Sequence, residues 1–298
     1  MTGRPLALPF AVACLGIASF TAMDAVMKGL TLALGAYNAT FWRVLLGALL
    51  GGLIFAGRRL KLPPRSTVRL HLTRGGVSAA MAVLWFWGLA RLPMAEAIAL
   101  SFIAPLIAIY LASLLLGERV RPQALLGSVL GLAGVGLMLL ARASGRYGDE
   151  ALLGALSILC SAMLYAVNLV LMRKQAQVAS PVEVGFFQNL TCAGFLALAA
   201  PFYGAVPAAE HWPGLAVSAA LALLSLMLLS WAYARAEAQS LVSVEYTGFG
   251  WGALYGWLIY GETLSWWVLA GTALIVLGCW TAIRPPRRAQ ELALEANL

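Results

Sequence analysis

Apolar residues in this chain come in long unbroken runs, not in the short alternating stretches of strands. Ten runs can be marked, at about 7–33, 36–57, 72–91, 94–117, 122–142, 151–173, 181–203, 212–234, 238–260 and 264–284. Each is close to the roughly 20 residues that carry an α-helix across a hydrocarbon core. The breaks between them hold turn or charge signals: Gly35, Arg58-Arg59 through Arg74, Leu92-Pro93, Gly117-Glu118-Arg119, Gly145 to Glu150, Arg173-Lys174, Pro207 to Pro213, Glu237 and Gly261-Glu262. A membrane barrel would show ten-residue alternating strands instead. The pattern predicts an all-α membrane protein of ten transmembrane helices.

Composition agrees. Of 298 residues, 62% are hydrophobic and 11% charged, with a mean hydropathy of +0.86. Soluble domains carry about a quarter charged residues, so most of this chain cannot face water. The net charge of +8 sits at the ends of apolar runs, which points to a lipid bilayer and not to nucleic acid as the partner. Cys14, Cys160, Cys192 and Cys279 all lie inside apolar runs without metal-ligand spacing, and read as small packing residues. The first run, Leu6 to Met23 and beyond, is long enough to stay as a helix and not be cleaved as a signal.

Charge then sets orientation. With the N-terminus inside, the inner segments hold 15 of the 20 Lys and Arg, counting Arg74 among them. The outer segments hold Lys28, Arg91, Arg142 and Arg146. This bias predicts ten spans in the cell (inner) membrane with both termini cytoplasmic.

The chain also repeats itself. Residues 117–137 align with 261–281 at an offset of 144, matching Gly117-Glu118 to Gly261-Glu262 and Gly127 to Gly271. The same offset places Ala90-Arg91 on Ala234-Arg235 and Asp24 on Asn168. Phe41-Trp42-Arg43 falls near Phe186-Phe187-Gln188, one residue out of step. Five helices per half is an odd number, so the second half enters the membrane upside down. Residues 1–145 and 146–288 are expected to form two inverted five-helix repeats around a central cavity, followed by a loose tail at 289–298. Inverted repeats of this kind build transporters whose site lies at the repeat interface.

The run Trp85-x-Trp87-Gly88-Leu89-Ala90-x-Leu92-Pro93-x-Ala95-x-Ala97, then Phe102-Ile103-Ala104-Pro105-Leu106 and Leu116-Gly117-Glu118-Arg119, resembles the drug/metabolite transporter superfamily. More narrowly, it is similar to the EamA group of ten-helix transporters. The second copy, Tyr260-Gly261-Glu262-Thr263, lacks the proline and the arginine. Within the group the sequence looks like the YddG-type exporters of aromatic amino acids. The resemblance implies export by alternating access of two pseudosymmetric halves. It also implies that the first, third and fourth helices of each half line the cavity, with the fifth at the periphery.

Polar groups inside spans cost about 2.5–3.5 kcal/mol each on insertion scales, so each needs a reason. Arg43 and Asp24 are expected at similar depth, either as an ion pair or with Arg43 meeting a substrate carboxylate. Glu245 either binds an amino group or proton, or snorkels to the nearby loop. Asn168 and Gln188, with Asn189, are ligand contacts or interhelical glue. Trp42, Trp85, Tyr110, Tyr165, Tyr246 and Trp251 are candidate aromatic walls for a flat or amphipathic solute, against a reading as core or lipid-facing packing. Pro105 interrupts the fourth helix, and Gly248 and Gly250 loosen the ninth; such paired interruptions point to a binding site or hinge. Gly127, Gly131 and Gly134 form a small-residue stripe for close packing, or alternatively a dimer seam on an otherwise monomeric protein. Glu262 is expected to cap a neighbouring helix, and His71 and His211 to sit near loops.

No His-Glu-x-x-His, Gly-x-Ser-x-Gly or phosphate-loop motif is present. No cofactor, metal or enzymatic activity is expected. The leading expectation is a secondary transporter exporting small organic metabolites, amino acids including aromatic ones. Drugs, vitamins and nucleotide-linked sugars are alternative solutes, and an intramembrane enzyme or a channel is the alternative of a different class. A strongly anionic solute is weakly disfavoured, because Arg43 stands as the single clear buried cation.

Overall fold

The computed structural model describes residues 7–104, 106–107, 110–111, 122–143, 149–235 and 244–283. The first helical run, α1 (Ala7–Gly57), contains one non-helical residue, Gly35, at φ 77° and ψ 156°. That backbone region is open essentially only to glycine. The chain reverses there. Leu30 and Trp42, which a straight helix would hold about 18 Å apart, both reach residues 212–214: Leu30 packs on Gly214, and the Trp42 and Trp212 rings lie 5.2 Å apart. The two arms of α1 are the first two expected spans.

The other helices of eight or more residues among the described residues are α2 (Arg65–Leu89), α3 (Met94–Ser101), α4 (Pro122–Ala143), α5 (Asp149–Val178), α6 (Pro181–Ala197), α7 (Trp212–Tyr233), α8 (Thr247–Tyr260) and α9 (Trp266–Ile283). Leu8–Gly57, Glu150–Val178 and Ala209–Ala232 are long and apolar enough to cross a membrane. The third expected helix begins earlier than the apolar run suggested, because Pro64 caps α2 and the helix starts at Arg65. The fourth is interrupted. After Ser101 the amides of Phe102 and Ile103 bond three residues back, to Ala99 and Leu100, in a tightened turn. The residue at 105 is a proline, which has no N–H to give to the Ser101 carbonyl. Pro105 itself lies outside the described residues.

Segments equated by the 144-residue offset pack on one another antiparallel. In α4 and α9, Gly134 lies on the Gly271 carbonyl while the Gly127 carbonyl lies on Gly278. Adding 144 to Gly134 and subtracting 144 from Gly271 produces the other contact. The glycine stripe is therefore used for close packing within the chain. Just after α3 and just before α8, the equivalent rings of Phe102 and Tyr246 meet edge to face at 5.1 Å. The second arm of α1 packs on α6, with Tyr37 donating to the Leu196 carbonyl at 2.6 Å. The last two contacts form a matched set. Ser157 and Ser161 of α5 donate to the Leu84 and Met81 carbonyls of α2 at 2.8 and 2.9 Å. Ser19 of the first arm of α1 donates to Leu221 of α7 at 3.0 Å.

The outward faces are apolar, with Leu53, Leu140, Trp257 and Trp266 exposed, as a lipid-facing surface requires. The contacts between helices depend on small residues that let backbones approach. A Cβ at Gly134 would lie 2.5 Å from the Gly271 carbonyl oxygen, whereas one at Gly136 meets nothing within 4 Å. Gly134→Leu should destabilise the purified protein by about 1–3 kcal/mol, read as a lowered melting temperature in detergent. Gly136→Ala should leave it unchanged.

Candidate functional site

A cavity of ≈ 230 Å³ lies between the two halves. The first arm of α1, α2 and α3 contribute Thr21, Asp24, Arg74, Ser78, Trp85, Phe86 and Ser101. From the second half come Ser161, Tyr165, Asn168 and Met172 of α5, Leu226 and Leu229 of α7, and Gly248 of α8, with Glu245 just before it. The second arm of α1 adds Arg43, facing Gln188, Asn189 and Cys192 of α6.

Asp24 and Arg43 both reach the cavity, but no ion pair within 4 Å joins them. Asp24 Oδ1 accepts instead from the indole Nε1 of Trp85 at 3.0 Å. The Arg43 guanidinium lies 5.8 Å above the Phe86 ring, and its Nε has no hydrogen-bond partner.

A second buried arginine, absent from the expected site, stands beside it. From sequence Arg74 counts with the inner segments, because it stands within the first residues of the apolar run 72–91. The Pro63-Pro64 pair is the signal that would have found it. A helix starting at residue 65 puts Arg74 about 13 Å inside, at 1.5 Å per residue. Arg74 is only 2% exposed. Its Nε donates to Asn168 Oδ1 at 2.9 Å, and Nη1 donates to Gln175 Oε1. Ser78 also donates to Asn168 Oδ1, at 3.3 Å. Because Gln175 spends its oxygen on Arg74, its amide nitrogen faces His71 Nδ1, at 2.5 Å. His71 must then carry its proton on Nε2, which donates to Glu183 Oε1 at 3.1 Å. The imidazole is 0% exposed and stacks on Phe187 at 4.7 Å. It is a buried link in this network and not a loop residue. Asn168 and Gln175 thus orient a cation toward the cavity.

Other expected residues lie elsewhere. Trp42 donates to the Ala205 carbonyl at 2.8 Å, at the end of the bundle where α1 reverses. Tyr110 bonds Ser128 of α4 at 2.8 Å. Tyr246 packs on Phe102, and Trp251 stacks on Tyr255 at 6.1 Å. Gly248 faces Ile17, Ile98 and Thr21, whereas Gly250 has open space beside it.

A second polar cluster joins helices outside the lining of the cavity. Glu262, just after α8, accepts from the Met94 amide at 2.7 Å and so caps α3, as expected. It also pairs with Lys28, which is 6% exposed and not a loop residue. Lys28 in turn donates to the Leu92 carbonyl at 2.5 Å. Tyr260 donates to the Ala25 carbonyl at 2.5 Å and lies under the Lys28 ammonium. Together these contacts tie α1, the turn before α3 and the end of α8 at one level.

Comparison with known proteins places this geometry. The chain is 29% identical to a pseudopaline exporter of Pseudomonas aeruginosa over 90% of its length and 93% of that protein's. A riboflavin transporter of Rhizobium johnstonii is 31% identical, covering 88% and 85%. An aromatic amino acid exporter of Ancylobacter novellus is 35% identical, but the match covers only 34% of this chain and 36% of the other. The likeness to the YddG-type exporters is thus partial. One solved crystal structure superposes on 95% of this chain and 99% of its own with a TM-score of 0.62 at 23% identity, which shows the shared fold. Residues 8–140 and 152–284 each match the same family model, so the chain carries two copies of one unit and belongs to the EamA-like transporter family, as a multi-pass membrane protein and not an enzyme.

Proposed function

We propose that this chain is a secondary transporter that exports amino acids, aromatic ones among them, by alternating access. Ten spans form two inverted repeats that divide near residue 145, and both termini are cytoplasmic. The observation that carries the reading is a cavity between the repeats, lined by charged and aromatic side chains. Arg43, without a carboxylate partner, takes the substrate α-carboxylate. Asp24 and Glu245 offer negative charge to the amino group. Trp85, Tyr165 and Phe86 supply ring faces for an aromatic side chain. With the N-terminus inside, the Lys28–Glu262 cluster lies toward the outer side, and in this reading the pair holds that end shut while the cavity faces the cytoplasm.

Proteoliposomes loaded with labelled phenylalanine or tyrosine should show saturable efflux; its absence for every amino acid tried would end the substrate reading. Arg43→Gln should lower that efflux at least about tenfold in folded protein, the scale of a lost charged hydrogen bond. Unchanged efflux would remove Arg43 from the site.

The seal has its own test. Cys192 lines the cavity, so it reports access once Cys14, Cys160 and Cys279 are replaced by serine. A membrane-impermeant maleimide added outside should leave Cys192 unlabelled. Lys28→Met should raise its labelling several-fold, and equal labelling in both would show that the ion pair does not close the outer end.

A further inference from the structure

Two guanidiniums face the cavity, and among the described residues neither has a carboxylate within 4 Å. Arg43 is 8% exposed with its Nε unpartnered. Arg74 uses only two of its five N–H donors on the protein, and both go to neutral amide oxygens. An uncompensated buried charge is strongly unfavourable, and such groups inside membrane helices mark substrate paths. The scaffold does not call for them: at the equivalent positions in the second half stand Gln188 and Ser218. Ser218 is satisfied by its own helix, donating to Leu215 at 2.9 Å.

The two arginines also differ in setting. Arg43 lies over a phenyl ring on the second arm of α1. Arg74 comes from α2 and is locked in direction by Asn168 and by Gln175, which His71 and Glu183 brace from behind. Two cationic points on separate helices match two separate anionic groups better than one shared carboxylate. Asp24, held by Trp85, leaves a negative point between the two halves for an amine.

We propose that the preferred solute carries two carboxylates and an amino group. Arg43 takes the α-carboxylate, Arg74 takes the second, and the amine lies toward Asp24. The inference rests on the amino acid reading given above and narrows it to amino dicarboxylates. It also removes the earlier objection to anionic solutes, which counted a single buried arginine.

The test compares three solutes with the same ring: phenylalanine, 4-carboxyphenylalanine and 4-carbamoylphenylalanine. The last two have nearly the same shape and differ in charge. Affinity is read by ligand-dependent thermal shift of the purified full chain, and transport by efflux from proteoliposomes. The wild type should bind the carboxy form about tenfold or more tightly than the carbamoyl form, the scale of a charged hydrogen bond over a neutral one. Arg74→Gln, with its melting temperature checked first, should bring that ratio to about one. Equal affinity of wild type for the two forms overturns the proposal, and this comparison needs no variant to fold. A ratio that survives in Arg74→Gln overturns it as well. Efflux of phenylalanine without any preference for the second carboxylate ends this inference alone. No binding or efflux of any of the three by folded wild type ends the amino acid reading with it.

Discussion

Hydrocarbon offers no hydrogen bonds, and the rest of the structure depends on that constraint. Every backbone amide and carbonyl must be satisfied within the protein, which forces helices. Once formed, the helices gain little from burying apolar side chains, because lipid is as apolar as leucine. Contact must come from close approach and from the few polar groups that can cross between backbones. Gly127, Gly134, Gly271 and Gly278 supply the first between α4 and α9. Ser19, Ser157 and Ser161 supply the second. The glycine contacts lie between helices that the 144-residue offset equates, and the serine contacts join two helix pairs that the offset exchanges, so the fold is an assembly of pseudosymmetric seams.

The same solvent makes the polar interior informative. Where a charge is structural it is neutralised: Lys28 has Glu262, and Glu262 also caps α3. Three charges that face the cavity have neutral partners instead. Asp24 is held by an indole, Arg74 by two amides, and Arg43 by the face of a ring. Neutral partners orient a charge without cancelling it, which leaves its field available to a solute. The scaffold is nearly symmetric while the cavity is not, since Asp24 faces Asn168 and Arg43 faces Gln188 across the offset.

Much of the scaffold was legible in the residues. Apolar run lengths gave the helices, because the bilayer thickness sets them, and the Gly-Glu boundary of the fifth helices disclosed the repeat. Gly35 marked the first reversal, because its backbone angles suit no other residue. The site was legible in part. Asp24, Arg43, Trp85, Tyr165, Asn168, Gln188 and Glu245 do meet at one cavity. Trp42, Tyr110 and Trp251 face away from it, because an aromatic residue in a span has the same composition signal whether it faces a neighbour helix, a helix end or a solute.

Sequence by itself determined that the chain must be helical and doubled, since hydropathy and periodicity are local properties that a lipid solvent converts directly into helices. Only the tertiary structure decided which polar residues act together. Arg74, Asn168 and Gln175 are joined through helices α2 and α5, and Lys28 and Glu262 are brought together from opposite ends of the chain. Those pairings depend on helix rotation and crossing, which one residue of boundary error changes by about 100° at 3.6 residues per turn. Arg74 shows the consequence: starting its helix at residue 65 and not 72 turns a cation counted with the inner segments into a buried one that faces the cavity.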